Sequence, residues 1–429
     1  MTVIPLPRRR EAAHTGPGRG GIAGLAGAAA SAVAQVLVVL VITRAFDART
    51  AGTFFTFTAT CLMLAGVLRL DTANGLIYFV ARSRHDHETP DVTGYFRAAL
   101  VPVVLLSLGA AAIAVTRAPV LAAVLPVVVC ADVLIGATRG FGSMRLTVLL
   151  GGLLRPVAQL VLVIAVAAGH PTGSATTLLA AAWAVPYLPV LIIGAVWLWR
   201  RVPRTPRLPG AAREFWRFTA PRSLASALQA VFQRLDVVIV AMLAGPVEAA
   251  VYTTATRFKV VGQLAGQGLA QATQPHLVRA LADGDLERAG RLYRAATRWL
   301  IVLTWPIWLG YAALSPWLPR VFGEAYAGGA AVALVLSATM LIATACGMVD
   351  VVLVAGGHTT ASLANIALST ALTVILDIFL VPAHGALGAA FGWAGGMVLK
   401  NLLPLVQILR RYELYRPPSR YFWEYFGKS

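Results

Sequence analysis

Apolar runs long enough to cross a bilayer alternate with short polar breaks along the whole chain. They cover residues 22–43, 52–80, 96–116, 119–138, 147–168, 177–199, 218–243, 249–275, 299–318, 329–355, 359–381 and 386–409, twelve runs in all. Each holds about 20 or more residues, enough for a helix to span ~30 Å of hydrocarbon with its backbone polar groups satisfied internally. The pattern predicts an all-α integral membrane protein of about twelve transmembrane helices.

The longest basic break, "RRVPRTPRLPGAAREFWRF", falls between the sixth and seventh runs, and its prolines mark it as a linker. The two halves repeat weakly. "AGTFFTFTAT" at 51–60 is similar to "AAVYTTATRF" at 249–258, and Trp183 followed by Arg200-Arg201 is matched by Trp393 followed by Arg410-Arg411. Because six runs separate the copies, both start on the same side, so the repeat predicts two six-helix lobes related by a pseudo-two-fold axis along the membrane normal. The expected organisation is a disordered basic tail (1–21), an N-lobe (22–199), a basic cytoplasmic linker (200–217), a C-lobe (218–409) and a cytoplasmic tail (410–429).

Two neighbouring runs break the apolar pattern at helical spacing. Arg222, Ser226, Gln229, Gln233 and Asp236 in the seventh recur every three or four residues and share one helix face. Tyr252, Thr256, Lys259, Gln263, Gln267, Gln271 and Gln274 do the same in the eighth. Stripes of four or more turns that include full charges exceed what gluing helices requires, and point to a water-filled cavity between two bundles.

Composition agrees with the membrane reading. The chain is 58% hydrophobic and 13% charged, against about 25% charged in soluble domains. The net charge of +18 is no nucleic-acid signal, because the cations sit in short loops rather than on one soluble face. Those loops orient the chain: with both termini cytoplasmic, only Arg44, Arg49, Arg117 and Arg320 fall outside. The basic start followed by the run 22–43 is similar to a signal sequence, but the run is too long for a cleaved apolar core and reads as the first span. Cys61, Cys130 and Cys346 lie in apolar runs and carry no chemistry. "HLVRALADGDLERAGRLYRAATRW" at 276–299 reads as an amphipathic helix lying on an anionic cytoplasmic leaflet.

Charges inside the runs are the candidate chemistry, since each unpaired one costs roughly 2.5–3.5 kcal/mol near the bilayer centre. Asp236 and Arg257 are expected at similar depth on a helical hairpin, where they would pair. Lys259, on the polar stripe, and Lys400, too deep in the twelfth run to snorkel, are expected to face a ligand. Arg69 and Asp71 form another candidate internal pair, with Arg69 as an N-lobe counterpart to the lysines. Asp132, Asp350 and Asp377 lie near run ends, where water is close. "SRHDHE" at 83–88 reads as a solvated loop rather than a metal site, and no P-loop, Cys-x-x-Cys or nucleophile with its base is present.

"LDVVIVAMLAGPVEAAVYTTATRF", "VFGEAYAGGAAVALVLS", "VPAHGALGAAFGWAGG" and "ITRAFDARTAGTFFTF" resemble, in order, segments of prokaryotic polysaccharide flippases. The resemblance implies the multidrug/oligosaccharidyl-lipid/polysaccharide exporter superfamily. It also implies a flippase, not an enzyme, that moves an undecaprenyl-pyrophosphate-linked oligosaccharide to the outer leaflet of the cell membrane by alternating access. The family usually has Asn near the position of Asp377, so no family role carries over there. On this reading Lys259, Lys400, Arg257, Gln229, Gln233, Asp236, Gln263, Gln267 and Arg69 line the substrate cavity. Catalytic residues, cofactor and metal are expected to be absent, and a coupling ion, H+ or Na+, is left open. The expected partners are the lipid-linked saccharide, membrane lipids, and a polysaccharide polymerase with its glycosyltransferases, around a monomer that binds no nucleic acid.

The alternative is an ion-coupled multidrug exporter of the same superfamily, for which an acidic, aromatic-lined cavity suited to cationic drugs is expected. A membrane glycosyltransferase or polymerase would need a large external loop, and the longest outside segment, "SPWLPRVFGEAYAGG", is short.

Overall fold

The computed structural model describes residues 17–83, 92–142, 144–169, 173, 175–202, 210–257 and 259–412. Within helices it does not describe the side chains of residues 17–26, 259–261, 263–265 and 267. The segment "RHDHE" at 84–88 and residues 1–16 and 413–429 therefore lie outside the described residues, whereas 17–21 and 410–412, expected in the tails, are helical.

The first span is α1 (Pro17–Ala45). The second is broken into α2 (Ala48–Leu68) and α3 (Thr72–Ser83). Then come α4 (Val92–Ala114) and α5 (Pro119–Thr138). The fifth span starts with the short α6 (Met144–Leu146), passes through a π-helical stretch, Thr147–Leu154, and ends as α7 (Arg155–Ala168). The sixth joins α8 (Ala175–Ala184) to α9 (Tyr187–Arg201).

In the second half α10 (Ala211–Phe232) and α11 (Leu235–Leu243) form a span bent by 46°. The eighth comprises α12 (Pro246–Thr256) and α13 (Lys259–Ala282), and the ninth is α14 (Leu286–Ala313). After the short α15 (Leu318–Val321), the tenth joins α16 (Gly329–Ala345) to α17 (Val349–Ala355) at 40°. Finally α18 (Thr359–Tyr412) is two antiparallel arms turning at Gly385, whose φ of 54° is one that a side chain resists.

Seven of these helical stretches are long and apolar enough to cross a membrane, and the two bent pairs make nine. The polar stripes and arginines keep α12 with α13, and α14, below that apolar threshold, and the second arm of α18 completes twelve.

The helix expected to lie flat over 276–299 does not exist. Instead α13 and α14 run upright out of the bundle and meet in the turn Asp283-Gly284-Asp285, where Gly284 takes φ 71° and Asp285 caps α14 by accepting the Arg288 N–H at 2.8 Å. Leu277, Ala280, Ala289 and Tyr293 are buried against α17 and the end of α18. The apolar residues that suggested a membrane-seeking face thus make a helical hairpin's own core.

The halves meet along the broken second span. Gly52 packs so tightly on the Pro246 carbonyl, and Gly66 on Ala230, that a Cβ would collide at either position. Lower down, Gly75 meets Phe215 and Thr219, and Glu214 takes Arg82 at 3.0 Å and the Tyr95 hydroxyl at 2.6 Å. At the far end of α1, Arg44 Nε donates to the Val321 carbonyl at 2.8 Å.

Candidate functional site

The polar stripe of the seventh span faces a cavity as its spacing predicts. Arg222, Ser226 and Gln229 line a chamber of about 480 Å³ together with Asp71, Asp350, Asn365 and Lys400. Gln229, Gln233 and Asp236 line a deeper one of about 200 Å³, with Gln35, Phe55, Arg234, Arg257 and Lys400. Gln229 and Lys400 belong to both, so they stand where one chamber leads to the other.

Lys400 Nζ donates to Gln229 Oε1 at 3.2 Å and lies 4.8 Å from the centre of the Phe232 ring. Arg234 stands at the break between α10 and α11, and Arg257 ends α12 with its guanidinium 5.8 Å from the Phe55 ring centre. The buried Arg257 Nε has no hydrogen-bond partner among the described residues. Among the described residues none of these three cations has a carboxylate within 4.0 Å, whereas Asp236 is the one acid lining the deep chamber. Cations left without a counter-ion in a low-dielectric site favour an anion there.

Asp236 does not pair with Arg257. Its Oδ2 accepts the Tyr252 hydroxyl at 2.6 Å and its Oδ1 the Val237 N–H at 2.8 Å. The reason is register: α12 begins at Pro246, three residues before the expected start at Ala249, so Tyr252 rather than Arg257 reaches the depth of Asp236. Likewise Asp71 takes Arg222 Nε at 3.1 Å and Asn74 Nδ2 at 2.6 Å, not Arg69. Arg69 caps α2 and lines neither chamber. The side chains of Lys259, Gln263 and Gln267 lie outside the described residues.

Asp377, expected near a run end where water is close, is instead closed off inside the C-lobe. It is 0% exposed, and neither carboxylate oxygen has a hydrogen-bond partner. Gly388, Gly392 and Gly396 recur every four residues on the second arm of α18 and let it close on Leu380, Asp377 and Thr373 of the first. That glycine spacing was one available signal, and the series Asn365, Ser369, Thr373 and Asp377, four residues apart, was another. Asp377 is near enough to Asp236 and Tyr252 for its charge to act on both. Two carboxylates and a phenol this close together in a buried setting can hold a proton or a single monovalent cation, because two ionised acids without either would be strongly disfavoured. Groups of three or more acidic, His or Cys residues able to hold a metal are absent among the described residues.

Other acids are accounted for. Asp132 takes Arg155 at 3.3 Å, with that guanidinium 4.8 Å from the Tyr187 ring centre, and Asp350 accepts the Ser362 hydroxyl at 2.6 Å.

With this geometry in place, the MatE family model matches residues 221–379, less than half of the chain. No curated protein matches. Among solved structures, the inward-facing conformation of a multidrug resistance MATE family transporter of the MOP superfamily is similar with a TM-score of 0.72 at 16% identity. That match covers 92% of this chain and 98% of the other. The outward-facing conformation of such a transporter gives 0.61 at 16%, covering 92% and 94%. A MOP superfamily transporter from Pyrococcus furiosus, for which reverse polarity of the binding pocket is described as suggesting a different function, gives 0.61 at 17%, covering 92% and 95%. The chain therefore has the fold of these multi-pass membrane transporters, twelve helices in two lobes.

Proposed function

We propose that this chain is an alternating-access exporter whose cargo is an anionic amphiphile, the lipid-linked oligosaccharide diphosphate that its sequence motifs favour. The observation that carries the reading is the set Arg234, Arg257 and Lys400, which lines the deep chamber with no carboxylate within 4.0 Å of any of the three among the described residues. A diphosphate would satisfy these cations with charge-assisted hydrogen bonds, while Gln229, Gln233 and Asn365 offer donors and acceptors to sugar hydroxyls. The Asp236, Tyr252 and Asp377 pocket would hold the coupling ion, H+ or Na+. On this reading both termini are cytoplasmic, the protein works in the cell membrane as a monomer, and its cargo comes from glycosyltransferases and goes to a polymerase.

The comparisons favour a second reading, an ion-coupled multidrug exporter, because the transporters similar in fold are described as multidrug MATE proteins. The two readings differ in the sign of the cargo. Purified protein in liposomes would be offered a fluorescent short-chain polyprenyl diphosphate saccharide and, separately, a cationic dye. Translocation of the diphosphate that falls at least tenfold in Lys400→Gln supports the first reading. Transport of the dye alone replaces it with the second.

A further inference from the structure

The upright hairpin changes what the arginines of 276–299 can do. On α14, Arg291, Arg294, Arg298, Val302 and Leu309 lie on one face, separated by three, four, four and seven residues. All five are exposed. The opposite face, Ala289, Tyr293, Ala296, Leu300, Thr304 and Trp308, is buried. One continuous stripe therefore changes from guanidinium to aliphatic between Arg298 and Val302, and Trp299, 60% exposed, stands at the change. Tryptophan with arginine at such a boundary marks the level where hydrocarbon gives way to headgroups.

We infer that this face of α14 is a binding site for an anionic phospholipid of the surrounding bilayer, its phosphate between Arg294 and Arg298 and its acyl chains along Val302 and Leu309. At 1.5 Å per residue, Arg291 to Arg298 spans about 10 Å, comparable to the headgroup layer. Glu287 partners Arg291 at 3.2 Å and Arg294 is engaged as well, but these arginines are exposed and contacts between exposed side chains yield readily. The stripe is also rigid: Tyr293 donates to the Cys346 carbonyl at 2.5 Å from the buried face, and Leu277 and Ala280 of α13 hold the hairpin against α17. A helix held in place fixes the spacing at which the arginines are presented, which separates a site from a diffuse basic surface.

The test uses the full chain in nanodiscs of phosphatidylcholine alone or with phosphatidylglycerol, read by thermal unfolding. Wild type is expected to melt several degrees higher with phosphatidylglycerol, and the gain to vanish in R294Q/R298Q while persisting in R279Q, a control on α13. Inorganic pyrophosphate added to phosphatidylcholine nanodiscs should not reproduce the gain. An equal gain in R294Q/R298Q, or the same gain from pyrophosphate, overturns the site. If the double variant does not fold, wild type alone decides: a phosphatidylglycerol gain that survives molar salt is not made by these exposed charges.

Discussion

The Tyr252 hydroxyl donates to Asp236 Oδ2 across 2.6 Å inside the C-lobe, beside Asp377, whose own oxygens have no partner. One acid has hydrogen bonds, the phenol's among them, and its neighbour has none among the described residues. This asymmetry separates the roles that the two carboxylates are expected to show on mutation.

Asp377→Asn should leave stability unchanged or raise it, because an amide removes the penalty of a buried ionisable group with no hydrogen-bond partner. Transport in liposomes should lose its response to an imposed proton or sodium gradient. A variant that unfolds easily yet remains gradient-driven would make Asp377 purely structural.

Tyr252→Phe should cost about 1.5–3 kcal/mol, the range for a buried hydrogen bond to a charged group. Denaturant unfolding in detergent would measure it. Arg257→Gln, by contrast, breaks no ion pair with Asp236, and exchanging Asp236 and Arg257 should rescue nothing.

Neutralising Arg234 or Arg257 to Gln should reduce binding of a diphosphate cargo about tenfold or more for each, since each removes a charge-assisted contact in a poorly solvated chamber. Arg69→Gln, outside both chambers, should leave binding near wild type. Titration calorimetry with a short-chain diphosphate saccharide would separate the two groups.

Orientation can be read with single cysteines in a background lacking Cys61, Cys130 and Cys346. In intact cells an impermeant thiol reagent should modify Glu324→Cys and spare Asp283→Cys. The reverse pattern would invert the chain.

Asp47→Ala should destabilise by about 1 kcal/mol, the typical loss for a helix N-cap. Asp47 accepts the Thr50 hydroxyl at 2.6 Å and the N–H groups of Arg49 and Thr50 at 3.0 and 3.1 Å. The Thr50 hydroxyl contributes most to holding its carboxyl below the ordinary value, and burial opposes it. This contribution is therefore complete above the ordinary carboxylate pKa and is lost as pH falls through the lowered one, so wild type and variant should converge in thermal melts in acid.

What the sequence made legible was whatever repeats at helical spacing. The stripe from Arg222 to Asp236 faces the cavities because five polar residues in an apolar span can be accommodated only on a wet face. Partner choice was harder. Placing the eighth helix's start at Ala249 instead of Pro246 moved Arg257 to the level of Asp236, although proline at a first helical position is itself a start signal. The hairpin at 283–285 carried an Asp-Gly-Asp turn that outweighs the amphipathic pattern around it. Asp377 ends a polar series four residues apart, Asn365, Ser369, Thr373 and Asp377, which a reading of charges alone passes over. Its setting comes from glycines a full arm away.

Leu70 and Asp71 take φ of 49° and 52°, left-handed values that cost residues other than glycine about 1–3 kcal/mol each. They are held there from the other lobe, by Ser223 Oγ on the Leu70 carbonyl at 2.5 Å and Arg222 on Asp71. The kink is a loaded spring whose catch sits on the opposite half of the molecule. Under the proposed alternating access, parting the lobes at this point would free α2 and α3 to relax, and the strain released would offset part of the work of separation. Two lobes joined this way need less external force to let go than their contacts alone would suggest.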